Sequence, residues 1–277
     1  MPYVETAGGI RLFYSDWGHT GDPAVVFVHA WGLHGGMWHY QVPAFLAAGR
    51  RCVLLDRRGH GRSDLPGYGY DLDTLADDLA HTLERLDLAE VVLVGHSMGA
   101  AEVVRYLTRH GRQRVLGVVL SAPTTPYLLR TDDNPDGIDE AAFEANRQAL
   151  RTDVGATIGQ TTSSDYFGPG YPLSEALADW TRRQIIDTPL PVLLATQEAF
   201  TTADLRAELA GLTVPVLVIH GSADRSAPID QTGRRTSQAV PGARLVVIDG
   251  AGHGMYMSAA HRYNTELLMF GGKINAR

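Results

Sequence analysis

A serine, an aspartate and a histidine stand in this chain in the order and the settings that nucleophilic chemistry requires. Ser97 lies in Gly95-His96-Ser97-Met98-Gly99, directly after the apolar run Val91-Val92-Leu93-Val94. A short β-branched strand that passes through Gly-x-Ser-x-Gly into a helix must turn sharply, which lifts the serine hydroxyl to the top of a sheet at a helix N-terminus. Serine attack on an acyl carbon also needs a base for the hydroxyl proton, an acid to orient that base, and donors for the oxyanion. Asp224 follows the apolar run 216–219 in Gly221-Ser222-Ala223-Asp224-Arg225 and is the candidate acid, with Asp230 in reserve. His253, in Gly252-His253-Gly254 after the run 245–248, is the candidate base, and its flanking glycines leave room for the ring to approach Ser97. The oxyanion donors are expected to be two backbone N–H groups. One is that of Met98, and the other comes from His29-Ala30-Trp31-Gly32, with Trp31 the candidate.

Other residues invite chemistry and have plainer readings. His96 adjoins Ser97, but a neighbouring side chain points away from the serine side, so a structural role is expected. His29 is expected to hold the oxyanion loop by hydrogen bonds. The run Asp56-Arg57-Arg58-Gly59-His60-Gly61-Arg62-Ser63-Asp64 reads as a structural turn whose charges bond to backbone. His29, His34 and His39 recur every five residues, which does not place them on one helix face, and no Cys cluster accompanies them, so no metal site is expected. No Gly-x-Gly-x-x-Gly follows a strand, which leaves a dinucleotide site without support. Trp31, Tyr127, Tyr166 and Phe167 are candidates to line a substrate pocket, and core packing is the alternative for each.

These residues need a frame to hold them. Apolar runs at 25–28, 53–55, 91–94, 118–120, 216–219 and 245–248 are short and continuous, the pattern of strands covered on both faces. Segments 4–6 and 10–14 flank Ala7-Gly8-Gly9 and read as an N-terminal hairpin. Between the runs lie helical patterns, the clearest over 72–86 with Asp71 as N-cap, and another over 100–107 with Gly111 as its stop. Alternation of strand and helix means βαβ units and a mostly parallel sheet. From about 124 to 213 the strand rhythm stops. Helical patterns at 141–150, 174–185 and 204–209, with 191–195 ambiguous between strand and helix, read as a helical cap inserted into one domain spanning 1–277.

Composition sets bounds. A chain of 277 residues with 44% hydrophobic and 20% charged residues can bury a full core without staples. A net charge of −7 with basic residues only in scattered pairs argues against a nucleic-acid partner. Cys52 is the sole cysteine and sits in an apolar run, so it reads as an inert buried thiol. No stretch approaches 18 apolar residues, so no membrane partner is expected, and the N-terminal residues lack a signal-peptide pattern. The expectation is a cytoplasmic protein, with a homo-oligomer left open.

The motifs together resemble the α/β-hydrolase superfamily over essentially the whole chain. The resemblance is to its serine esterase branch of cofactor-free, non-haem haloperoxidases, aryl esterases and perhydrolases. It rests on Val28-His29-Ala30-Trp31-Gly32, residues 56–63, Tyr70-Asp71, Leu93-Val94-Gly95-His96-Ser97-Met98-Gly99, Glu102-Val103-Val104-Arg105-Tyr106, Val218-Ile219-His220-Gly221 and Gly252-His253-Gly254. The resemblance implies about eight strands with helices on both faces, no cofactor, a Ser97–His253–Asp224 triad, and an oxyanion hole at Trp31 and Met98. It departs from the family at Ala30, where Gly is usual, and at Gly32, where many relatives carry Pro. In the family that Pro goes with perhydrolysis, so its absence weighs against that activity. The expected activity is hydrolysis of a small-molecule carboxylic ester or lactone through an acyl-enzyme. Alternatives are perhydrolysis, a pathway carbon–carbon or lactone-ring hydrolase, and a ligand-binding protein without turnover.

Overall fold

The computed structural model describes residues 2–275. The continuous apolar runs form strands because their β-branched side chains have a helix layer to bury against on either side. The strands are β1 (Tyr3–Glu5), β2 (Arg11–Trp17), β3 (Ala24–Val28), β4 (Arg51–Leu55), β5 (Val91–His96), β6 (Val115–Ser121), β7 (Val216–Gly221) and β8 (Arg244–Ile248). Among the described residues they make one sheet in the order β1-β2-β4-β3-β5-β6-β7-β8. β1 and β2 form the N-terminal antiparallel hairpin, and β2 pairs antiparallel with β4. All neighbours from β4 to β8 are parallel. Every residue of β3, β4, β5 and β7 is buried, as a doubly covered sheet requires.

The helices are α1 (Val42–Ala47), α2 (Leu72–Arg85), α3 (Met98–His110), α4 (Glu140–Thr152), α5 (Val154–Gly159), α6 (Ser163–Phe167), α7 (Glu175–Asp187), α8 (Leu190–Thr202), α9 (Arg206–Ala210), α10 (Gly233–Ala239), α11 (Met255–Ser258) and α12 (Ala260–Asn275). The two-residue period of a strand divides the core in two. Val26 and Val28 of β3 face Leu75, Leu79 and Leu83 of α2 and Val103 of α3. Val25 and Phe27 face Phe45 of α1, Tyr256 of α11 and Tyr263 of α12. α2 begins at Asp71, whose carboxylate accepts from the Thr74 N–H at 2.9 Å, as an N-cap does. α3 stops at Gly111, at φ +73°.

Six of these helices, α4 to α9, lie between β6 and β7. The ambiguous run 191–195 is helical within α8. Pro191 falls in the first turn, where its missing N–H leaves no bond unmade, and Val192, Leu193, Thr196, Gln197 and Thr201 bury one helical face. α6 escapes any reading by hydrophobic period because a capping box builds it: the Thr162 side chain accepts from the Asp165 N–H, and Asp165 reaches back to Thr162. No helix among the described residues is long and apolar enough to cross a membrane.

Candidate active site

Parallel strands in register bring their C-terminal ends together, and loops leaving those ends converge. Val28 pairs with Gly95, His96 with Ser121, and Gly221 with Ile248, so the segments after β3, β5, β7 and β8 share one rim. Ser97 sits between β5 and α3 at φ +55°, a left-handed conformation that strains a serine by about 1–3 kcal/mol. The turn is possible because Gly95 and Gly99 touch backbone. A Cβ on Gly95 would stand 2.3 Å from Gly99 O, and one on Gly99 would stand 2.5 Å from Val28 O. Met98 is the first residue of α3, so its N–H is among those the helix leaves unpaired.

Asp224 and His253 are brought together. His253 Nδ1 lies 2.7 Å from Asp224 Oδ2. The other carboxylate oxygen, Oδ1, accepts from the N–H groups of Ser226 and Ala227, both at 2.9 Å. Burial pushes the Asp224 pKa up, but the charge His253 carries when protonated and hydrogen bonds from His220 and His253 outweigh it and hold the group well below the usual carboxylate range. Asp224 is therefore ionised and takes the His253 Nδ1 proton as a hydrogen bond, which leaves Nε2 as the basic nitrogen of the neutral ring. Asp230, the reserve acid, is exposed and paired with Arg234.

Sequence reasoning missed the support that His220 gives. Its Nε2 lies 2.8 Å from Ala227 O and 3.1 Å from Asp224 Oδ2, so it donates to both sides of the acid's loop. The available signal was a histidine at a strand end four residues before the acid. Replacing His220 by phenylalanine removes this donor, and kcat/KM for ester hydrolysis is expected to fall about tenfold in a folded protein. Unchanged kcat/KM would show that the two Asp224 Oδ1 contacts suffice.

The glycines around His253 have a different reason from the expected one. Gly252 N–H donates to Phe167 O at 3.0 Å and Gly254 N–H donates to Tyr166 O at 2.7 Å, which clamps the histidine loop onto α6. A Cβ on Gly252 would stand 2.5 Å from Tyr166 O, so it is backbone, not the approach to Ser97, that demands the glycine.

Ser97, His253, Trp31, Tyr166 and Phe167 all line one cavity of about 440 Å³, which also reaches Phe200. Most of its remaining wall comes from the segment between β6 and β7. Tyr127 is a correction: it is not among the lining residues, because the Arg206 guanidinium stacks on its ring, 5.2 Å from the centroid. Trp31 does more than pack. It faces the cavity and its Nε1–H donates to Leu193 O of α8 at 2.9 Å. Thr188 Oγ1 donates to Gly32 O at 2.9 Å, so the 29–32 loop is tied to this segment twice.

The neighbouring histidines are buried and neutral. His96 Nδ1 lies 2.8 Å from Ser121 Oγ, and its ring packs 4.8 Å from the His253 ring without being part of the cavity wall, the structural placement expected of it. Burial, then the charge of His253, lowers the His96 pKa well below its ordinary value. Burial, then Arg57, does the same for His29 and brings His60 down to about 3. Each ring binds a proton in the unfolded chain below about pH 6.5 and refuses it when folded, so the unfolded state holds more protons there and stability falls as pH falls. Urea unfolding is expected to show about 3–4 kcal/mol less stability at about pH 5.5 than at about pH 7.5 from these three rings together. A flat profile across that window would mean they accept protons in the folded state. Cys52 is buried, its thiol pushed up to about 12 by burial, which makes it inert.

The run 56–64 is only partly the expected turn. Asp56 does bond backbone, accepting from Gly35 N–H at 2.8 Å and Arg62 N–H at 3.0 Å. Arg57 donates to backbone at His29 O, 2.8 Å away, but it also pairs with Glu102 at 2.7 Å, and Arg58 pairs with Asp78 at 2.5 Å, both buried ion pairs with side chains of other elements.

Comparison with known proteins agrees with this architecture. A family model described as alpha/beta hydrolase fold matches residues 23–260. A non-heme chloroperoxidase from Kitasatospora aureofaciens is 38% identical over 275 residues, covering 98% of this chain and 99% of that protein. A bifunctional esterase/perhydrolase from Acinetobacter calcoaceticus is 33% identical over 274 residues, covering 98% and 99%. The crystal structure of a bromoperoxidase from Bacillus anthracis superposes with a TM-score of 0.91 at 34% identity, covering 97% of this chain and 98% of that one. An eight-stranded sheet of this order, matched over almost its full length by such relatives, places the chain in the α/β-hydrolase family, in the branch of the non-haem haloperoxidases and related esterases.

Proposed function

We propose that this hydrolase cleaves a small-molecule carboxylic ester or lactone through a Ser97 acyl-enzyme. One observation carries the reading: the strained Ser97 and His253, itself bonded to Asp224, open onto the same largely apolar cavity. In this reading His253 Nε2 takes the Ser97 proton as Oγ attacks the carbonyl carbon. Asp224 holds the imidazole in the Nδ1–H tautomer and stabilises its cation. The N–H groups of Trp31 and Met98 stabilise the tetrahedral oxyanion. The imidazolium then protonates the leaving alkoxide, and the C–O bond breaks to give an alcohol and the acyl-enzyme. Water repeats the sequence and releases the acid. In a lactone the alcohol stays tethered to the acyl group, which the same steps accommodate. A structural neighbour at 27% identity and TM-score 0.85, an enol-lactonase from Burkholderia xenovorans, supports keeping lactones in the substrate class.

The cavity of about 440 Å³ lies in the range of small-molecule sites, and its surface is mostly apolar, with its one cation among the described residues, Arg182, paired to Asp179 at 2.6 Å, which favours an uncharged acyl group. Perhydrolysis is the second reading, favoured by the esterase/perhydrolase relative. Gly32 weighs against it: at φ +69° the backbone here takes a form closed to the proline that goes with perhydrolysis in the family. A p-nitrophenyl ester series from acetate to octanoate tests the main reading and sizes the acyl site. The same enzyme with peroxide and bromide, with and without acetate, tests the second. Ester turnover with no acetate-dependent bromination supports hydrolysis alone. Bromination that equals ester turnover overturns that assignment.

A further inference from the structure

Two oxyanion donors act together only if their spacing is held, and here they sit on separate elements. The Met98 N–H belongs to α3, and the Trp31 N–H belongs to the loop after β3. One side chain bridges these elements inside the protein. Arg57 Nε donates to Glu102 Oε2 at 2.7 Å, and Glu102 lies four residues into α3 from Met98, one turn along the helix. Arg57 Nη2 donates to His29 O at 2.8 Å, and the Arg57 backbone N–H donates to His29 Nε2 at 2.9 Å. Because Nε2 accepts, the neutral His29 ring carries its proton on Nδ1, which lies 2.7 Å from Ala30 O. The loop just before Trp31 is thus held at His29 O, at the His29 ring and at Ala30 O. Both partners of the bridge are almost wholly buried, with side chains 2% and 5% exposed, so water does not compete for these bonds.

We propose that Arg57 is a positioning residue for the oxyanion hole, its planar fork fixing the loop of Trp31 against the helix of Met98. It touches neither substrate nor reacting atoms. Its effect falls on transition-state stabilisation, because only the developing oxyanion reads the spacing of the two N–H groups. The inference rests on the serine-hydrolase reading above.

Removing Arg57 alone would strand the buried Glu102 charge and threaten folding. The test is therefore the double variant Arg57→Met/Glu102→Leu, which deletes both charges, with Arg57→Lys beside it. Lys keeps the charge near Glu102 but has no fork to hold Glu102 and His29 O together. Three quantities are read in folded protein with its competent sites counted by burst titration: kcat, KM, and Ki for phenylboronic acid. The boron of that probe takes Ser97 Oγ as a fourth ligand while the proton passes to His253, giving a tetrahedral mimic with an oxygen in the oxyanion hole. The double variant is expected to lose about 30–100-fold in kcat with KM within about threefold, and the boronate Ki should rise by the same factor. Arg57→Lys should lose about tenfold. A merely structural role would lower the competent fraction and the melting temperature and leave Ki per competent site unchanged. Wild-type kcat in the folded double variant overturns the proposal. If that protein does not fold, wild-type kcat in Arg57→Lys overturns it equally. Ester turnover that survives Ser97→Ala sinks the serine reading itself. Ser97-dependent turnover that ignores Arg57 sinks only this inference.

Discussion

A Ser97→Ala variant is expected to lose about 10⁴–10⁶-fold in kcat for p-nitrophenyl esters while keeping its fold. The size of the loss follows from what one oxygen does. Without Oγ there is no acyl-enzyme, and only the oxyanion donors and the cavity remain to speed direct attack by water. The fold survives because the hydroxyl supports nothing around it. The bonds from this residue to the frame are backbone ones, its N–H to Ser121 O at 2.9 Å and its carbonyl accepting from Ala100 N–H at 3.0 Å and Thr124 Oγ1 at 3.4 Å, and alanine keeps all three. The φ of +55° strains alanine much as it strains serine, so the turn is no better or worse. Circular dichroism and the melting temperature should match wild type. Turnover within about tenfold of wild type in that folded protein would remove Ser97 from the mechanism. Tight binding of an ester with no turnover in wild type would point to the ligand-binding alternative.

What could be seen in the sequence, and what could not, divides by the range of the interaction. Strands β3 to β7 announce themselves because each is a short apolar run covered on both faces, whereas β8, read by the same pattern, lies at the sheet edge with Arg244 and Val247 exposed and only Ile248 buried. That Ser97, Asp224 and His253 stand on one rim is legible because each follows such a run, and strand ends in a parallel sheet share a rim. The turn at Ser97 is legible through Gly95, which meets the backbone of Gly99 within its own motif, while the need for Gly99 comes from Val28 and His29 on the neighbouring strand and its loop.

Contacts that depend on a distant segment are silent. Nothing near Gly252 foretells that Tyr166 O will crowd it, so the glycine invites a local and wrong explanation. Tyr127 has an aromatic ring at the start of the right segment, but Arg206, 79 positions later, takes its face. Arg57 and Arg58 look like turn charges because their partners, Glu102 and Asp78, lie on helices formed by other stretches of chain. Short polar elements hide for another reason. α6 has one buried residue and is made by a capping box, so it carries no hydrophobic period to read.

The same separation explains how the segment between β6 and β7 bears on the site. It does not only wall the cavity. Leu193 O and Thr188 Oγ1 hold the Trp31 and Gly32 positions, and the carbonyls of Tyr166 and Phe167 hold the loop of His253. The loop of Trp31 and Gly32 and the loop of His253 are each braced from the sheet side and from this segment, so sequence change there reaches both loops as well as the cavity wall.

An Asp224→Asn variant is expected to lose about 10³–10⁴-fold in kcat, nearly isosteric though it is, because the surroundings dictate which way the amide must face. The N–H groups of Ser226 and Ala227 both point at the Oδ1 position, 2.9 Å away, and demand an acceptor there. The amide oxygen must occupy that place, which puts the NH₂ at the Oδ2 position, 2.7 Å from His253 Nδ1. A donor facing Nδ1 turns it into an acceptor and moves the imidazole proton to Nε2, where it blocks the ring from acting as a base. The ring of His220 does not reverse this choice. Its Nε2–H, 3.1 Å from the Oδ2 position, loses an acceptor when the NH₂ sits there, but it keeps Ala227 O at 2.8 Å, so the two backbone N–H groups at Oδ1 decide the orientation. Stability gives an independent readout of the same group. Asp224 ionises in the folded protein well below its ordinary value, so the unfolded chain takes up the proton first as pH falls. Its stabilising contribution is complete above about pH 4, the ordinary carboxylate range, and is lost as pH falls toward the folded-state value. The stability gap between wild type and Asp224→Asn should therefore be widest near neutrality and shrink below about pH 4. A variant with near wild-type kcat would show that His253 keeps its tautomer without the carboxylate. A gap that stays constant with pH would show that Asp224 is not held ionised by its partners.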